Sequence, residues 1–263
     1  MNAEALSLAI NTLQPHVLSV SLIAARLVPV AFLCPLFGGT HAPTHVKLGV
    51  VLALASFLHV ACGISSPAAH DAFELAALMG KEVVLGLSLG LIAALPFDIA
   101  RMGGRFIDLF RGSSAEAALP MSGTKESATG DGLYHLLLAL GSIGAVWPVM
   151  ISALVRTYVL VPLGTFHQTE ELALEIVRVV SGAFATGFAI GAPFAALTLA
   201  IDACMGLASR AAPNMNLQET GAPLRILGGG AVLWLAIALI ANRLQDLAVQ
   251  HADQLVSFGG ITS

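Results

Sequence analysis

Three charged residues, Arg26, Lys81 and Glu82, stand inside long apolar stretches. There an ionised side chain costs roughly 2.5 to 3.5 kcal/mol on insertion scales, so each needs a counter-charge, hydrogen-bond partners or water. Lys81 and Glu82 are neighbours in sequence, and on a helix they point about 100° apart and do not simply neutralise each other. Two readings follow: charges paired across packed helices as assembly contacts, or charges lining a substrate or ion pathway. A lone buried carboxylate tends to take up a proton, so Glu82 is expected to be held by a cation from another helix, with Arg26 the leading candidate in the chain and a neighbouring subunit the alternative.

Other residues offer little chemistry. His41 and His45 share a metal-like spacing but flank Pro43 in a loop, and Cys34, Cys62 and Cys204 form no C-x-x-C or Cys/His ligand pattern. Ser113 and Ser114 have no positioned base nearby, and Walker A, H-E-x-x-H, G-x-S-x-G and Rossmann glycine patterns are absent. The expectation is therefore no enzyme, no cofactor and no metal.

The elements that must position these charges follow from composition. Of 263 residues, 57% are hydrophobic and 11% charged, against roughly 25% charged in a soluble domain. Mean hydropathy is +0.85. Such a surface needs membrane lipid or an oily partner to cover it. The 12 Lys and Arg are scattered and the net charge is -4, which argues against nucleic acid. The start of the chain lacks the basic n-region of a cleaved signal, so the first apolar segment is expected to be retained.

Crossing the hydrocarbon takes about 20 apolar residues. About six apolar stretches come near that length or exceed it, at residues 6–36, 46–64, 72–95, 133–161, 176–201 and 226–241. All should be helical, because an isolated segment in lipid must satisfy its own backbone and the alternation of a β-barrel is missing. Pro29, Pro35, Pro148, Pro193 and Gly228–Gly230 are expected to break or kink them. Gly86/Gly90 and Gly187/Gly191 offer close-packing surfaces without specifying a partner. One connection is long and polar, residues 98–132. Its first part has apolar residues at helical spacing, and the rest reads as irregular chain.

Several motifs together resemble a known family. They are Arg26-Leu-Val-Pro through Pro35, Pro43-Thr-His-Val-Lys47-Leu-Gly49, the Gly86/Gly90 helix leading into Gly104-Arg-Phe-Ile-Asp108-Leu-Phe-Arg-Gly112, and Gly206-Leu-Ala-Ser-Arg210-Ala-Ala-Pro213-Asn214-Met-Asn216 followed by Ala222-Pro223-Leu-Arg225. Their order over most of the chain resembles the SctT/FliR/SpaR family, the T-type export-apparatus proteins of type III secretion systems. The wording around Asp108 and Arg111 is closer to injectisome members than to flagellar ones. After Asn216 the chain departs from the apolar run usual in the family.

The resemblance implies a structural subunit of an export gate in the bacterial inner membrane. It implies assembly with R-type and S-type membrane proteins, beside the U-type switch protein and below needle or rod components, with unfolded exported proteins as cargo. The implied fold is an all-α membrane protein: an R-type part at residues 1–175 fused to an S-type helical hairpin at 176–263. Arg210, Pro213, Asn214, Asn216 and Pro223 mark the hairpin loop. The loops holding Lys47, Arg101–Lys125 and Arg210–Arg225 carry most of the positive charge, which puts both chain ends in the periplasm.

For the long polar segment the expectation is that residues 110–130 turn inward and help close the channel at rest. Gly112, Gly123, Gly130 and Gly132 would supply freedom to swing. Phe110, Leu119 and Met121 would form an apolar seal, with Arg111 beside them. The alternative is a solvated connector. From another class, a small-molecule transporter also places charges and broken helices near the bilayer midplane, but no repeat relates the two halves.

Overall fold

The computed structural model describes residues 3–38, 42–65, 71–112, 116–117, 126–144, 146–167, 170–211 and 217–261. The chain runs through α1 (Ala3–Leu33), a 3₁₀ turn (Pro35–Phe37), α2 (Thr44–Cys62) and α3 (Ala72–Arg111). Two paired antiparallel stubs, β1 (Glu116–Ala117) and β2 (Glu126–Ser127), precede α4 (Ala128–Ile143), α5 (Val146–Leu160), α6 (Glu170–Ala211) and α7 (Leu217–Ile261). It is an all-α membrane protein. Among the described residues five helices are long and apolar enough to cross a membrane, and α4 with α5 would make a sixth if counted as one span.

Several boundaries differ from the sequence expectation. Pro35 does not kink α1. It ends the helix, because the residue before a proline is pushed out of the α region, and Cys34 is extended (φ -80, ψ 121). The expected single segment 133–161 is two helices. Gly144 is extended (φ -95, ψ -160), and Pro148, close to the start of α5, has no N–H to carry α4 onward. Helix α3 runs through Pro96 to Arg111, taking in the first part of the polar connection, whose apolar residues stand at helical spacing. Gly228–Gly230 do not break α7, a 45-residue helix. At 1.5 Å per residue α7 is about 67 Å long, twice the ~30 Å of hydrocarbon.

The described chain divides into two compact units, with the divisions in α3 and α6 at residues 94/95 and 179/180, between α4 and α5 at 144/145, and in α7 at 248/249. In the first unit α1 and α3 cross at Gly86 and Gly90. A Cβ on Gly86 would stand 2.2 Å from the Arg26 carbonyl oxygen, and one on Gly90 would stand 3.0 Å from Val30 Cα. Helix α2 turns Lys47, Val51, Ala55 and Leu58 inward, and the Lys47 ammonium lies 5.2 Å from the Phe32 ring centre. In the second unit Gly187 and Gly191 of α6 receive Met102 and Phe106 of α3. Both small-residue pairs thus have their partners within the chain.

Candidate functional site

The structure brings Arg26 and Glu82 together in the first unit. The two side chains are 1% and 0% exposed, and Arg26 Nε donates to Glu82 Oε2 at 2.6 Å. The remaining guanidinium donors go to the end of α5. Nη1 reaches the carbonyl oxygens of Thr157 (3.3 Å) and Val161 (3.1 Å), and Nη2 reaches Val161 (3.1 Å). Helix ends leave carbonyls unpaired and carry partial negative charge, so a cation there satisfies both needs.

Glu82 is completed from the following turn. Pro162-Leu163-Gly164-Thr165 closes with Thr165 N–H donating to the Pro162 carbonyl at 3.2 Å. Gly164 has φ +81, the left-handed position of a type II turn that favours glycine. That conformation aims its N–H at Glu82 Oε1, 2.8 Å away. Tyr158 covers the guanidinium with its ring, 4.4 Å from centre to charge, while its hydroxyl donates to the Ile23 carbonyl at 3.1 Å. Four segments meet at one ion pair with both charges hydrogen-bonded. This arrangement joins helices and leaves no charge free to meet a substrate.

Lys81 does not join this cluster. It is half-buried, makes no bond to another described residue, and lines a hollow of about 230 Å³ with Gly80, Val84, Phe166 and His167.

In the second unit the polar connection is held at both roots by Asp108 of α3, 5% exposed. Its Oδ2 accepts from Ser127 Oγ (2.7 Å) and Thr129 N (3.0 Å), and its Oδ1 accepts from Thr129 Oγ1. Ser127 in turn caps α4 by accepting from Gly130 N at 2.9 Å. The α3 and α4 backbones touch here, since a Cβ on Gly104 would fall 2.4 Å from Gly130 Cα. On the same turn Arg111 Nη1 lies 3.7 Å from Asp108 Oδ1. Arg111 Nη2 donates to the Ile226 carbonyl of α7 at 3.2 Å. Its aliphatic stem fills the trough over Gly229, where a Cβ would meet Arg111 Cγ at 2.4 Å. The glycine run expected to break α7 is a seat for Arg111.

Of the residues expected to seal a channel, Phe110 and Arg111 are the last turn of α3, and Gly112 follows with φ +67. The Phe110 ring packs with Phe106 and Phe188, at 6.4 and 6.2 Å between centres. Leu119, Met121 and Gly123 lie outside the described residues, as do His41, Ser113 and Ser114. Among the described residues no group of three or more His, Cys, Asp or Glu is placed to hold a metal.

Residues 17–250 match the family described as Bacterial export proteins, family 1. The chain belongs to this family. It is 27% identical over 183 residues to Yop proteins translocation protein T of Yersinia pestis, covering 68% of this chain and 70% of that one. It is also 26% identical to the flagellar biosynthetic protein FliR of Bacillus subtilis, covering 87% of this chain and 90% of that one. FliR of Escherichia coli is 25% identical over 84% of this chain and 85% of its own length. This export protein is thus of the SctT/FliR type, a structural export-apparatus subunit of the bacterial inner membrane, and not a small-molecule transporter.

In the export protein Arg225 of α7 donates from Nε (2.7 Å) to Asp202 Oδ1 of α6, with Nη2 at 2.6 Å. Arg210 is exposed in the last turn of α6, and Pro223 is exposed within the first turns of α7. Pro213, Asn214 and Asn216 lie outside the described residues. Asp108 was visible to sequence reasoning only as part of a family motif. The one local signal for its role is Ser127, a capping residue ahead of an apolar periodic run.

Proposed function

We propose that the chain is the T-type subunit of a type III secretion export gate of the injectisome kind. In this reading it assembles with R-type and S-type membrane proteins beside a U-type switch protein, beneath needle or rod components, and unfolded proteins are its cargo. The observation that carries it is the export-family match over residues 17–250, made by a chain whose α7 apolar window is only 6% buried. Apolar helix of that kind needs protein or lipid against it. Trp234, Leu235 and Leu239 of α7, Phe184 and Leu199 of α6 and Phe57 and Val60 of α2 are all exposed. The injectisome preference draws on the Asp108–Arg111 wording and on the similarity to a Yop translocation protein.

Within this proposal Arg26 and Glu82 set the helix arrangement that partners recognise, and the half-buried Lys81 offers a cation to a neighbouring subunit. The R-type part is residues 1–175 and the S-type hairpin is 176–263, with both termini periplasmic. The connection beginning at Gly112 closes the channel at rest. Asp108 and Arg111 anchor its roots, Leu119 and Met121 supply the seal, and Phe110 is a fixed aromatic base.

Co-expression with the neighbouring small membrane proteins, followed by purification through a tag on this chain, tests the reading. A stable hetero-oligomer is expected. A monodisperse particle of this chain alone that moved a small solute would end it.

A further inference from the structure

Helices α6 and α7 do not close on each other along their whole length. Between them lies a cleft of about 460 Å³, within the 300–1,000 Å³ range of ligand pockets. Its walls are Ala185, Ala189, Ile190 and Pro193 on one side and Ala236 and Ile240 on the other. Small residues make the space, and Pro193, which has no N–H to bond the Ala189 carbonyl, lines it. Thr186 also lines the cleft, but its hydroxyl is turned back to the Gly182 carbonyl at 2.8 Å. The lining is therefore apolar except at one end.

That end is Arg243, the only charged residue of the lining. It comes two residues after the apolar run that ends at Ala241, where an arginine can place its charge at the membrane surface. Its guanidinium makes no hydrogen bond or ion pair with another described residue. Asp246, one turn further, is outside the lining and does not pair with it. An apolar slot between two helices long and apolar enough to cross a membrane, with an unpaired cation in its lining, is complementary to one kind of molecule, an amphiphile with an anionic head. Arginine's planar fork matches phosphate oxygens, and basic pockets between membrane helices hold anionic headgroups.

We propose that the cleft binds one acyl chain of an anionic phospholipid, with the lipid phosphate on Arg243. The chain lies along Ala189, Pro193 and Ala236, and the lipid holds α6 and α7 at their present separation. The site requires only that these helices stand in a bilayer. Its test is accordingly independent of whether the chain joins an export gate.

The test uses the full chain in detergent, exchanged into equal mixtures of phosphatidylglycerol and phosphatidylcholine with identical acyl chains, with retained lipid counted by native mass spectrometry. Phosphatidylglycerol is expected to be retained about fivefold over phosphatidylcholine, the order that one basic residue near an anionic headgroup supplies. Arg243→Gln should bring the ratio to about one, and Arg243→Lys, which keeps the charge but not the fork, should restore part of it. Ala189→Leu with Ala236→Leu should fill the slot and lower retention of both lipids. Glycerol phosphate, a head without a chain, should not compete. Equal retention by the wild type would overturn the proposal. So would a preference that survives Arg243→Gln, undiminished retention with the slot filled, or displacement by glycerol phosphate, which would mean a free-anion site.

Discussion

Two polar centres among the described residues are built on different terms. At Arg26 and Glu82 an ion pair is sealed from solvent, the other guanidinium donors ending on backbone carbonyls and the carboxylate accepting a turn N–H. At Asp108 the carboxylate holds hydroxyls and an N–H on the far side of a polar connection, at part-buried bonds. The first kind is strong because no water can replace a missing partner. The second is a fastening whose donors can turn to water when released. In the proposed function the first kind keeps the helices together and the second holds the roots of the connection.

The largest effect expected from breaking this contrast is at the sealed pair. Glu82→Gln leaves a buried guanidinium without its counter-charge, a loss of about 3–5 kcal/mol, and should prevent accumulation or assembly. Adding Arg26→Gln in the same chain should lessen the defect, since the double variant buries no unpaired charge. Membrane levels of the two single variants and the double, measured side by side, give the coupling. A double variant as damaged as the sum of the singles would show that the pair does not act as a unit.

Gly86→Ala comes next. Its new Cβ meets the Arg26 carbonyl oxygen, a backbone atom that can yield only if the helices part, at a cost of about 1–3 kcal/mol typical of overpacking. Thermal stability of the purified chain should fall accordingly, and an unchanged midpoint would mean that α1 and α3 do not cross so closely.

Asp108→Asn should be milder still, about 1.5 kcal/mol for a weakened charge-assisted bond. It should sharpen the contrast by acting locally. Cleavage by trypsin at Lys125 in the connection should quicken while the assembled complex keeps its composition. Loss of the whole assembly would place Asp108 with the sealed pair instead.

Much of this was legible in the sequence, for definite reasons. Apolar runs announce membrane helices because lipid permits few other structures, and Arg26 and Glu82 announced each other because their charge is costly in such runs. Gly86/Gly90 and Gly187/Gly191 were visible as packing surfaces, yet local sequence does not say which helix arrives. Gly228–Gly230 read as a break because helix propensity weighs each glycine alone, whereas here the missing side chains make room for Arg111. Asp108 was hard to single out, because an acid in a polar stretch looks like any solvated acid until Ser127 and Thr129 fold onto it. Pro96 and Pro148 illustrate the same limit, one carried through a helix and the other set next to a break.

The most direct test of the account is the permeability of the assembled gate after removal of residues 113–124, with Asp108, Arg111, Ser127 and Thr129 left in place. Co-expressed with the R-type and S-type proteins of the proposed assembly, the shortened chain should assemble normally and let small ions or dyes leak across the membrane. A fully assembled, secretion-competent gate that stayed tight would contradict it, and the connection would then be a solvated link between α3 and α4.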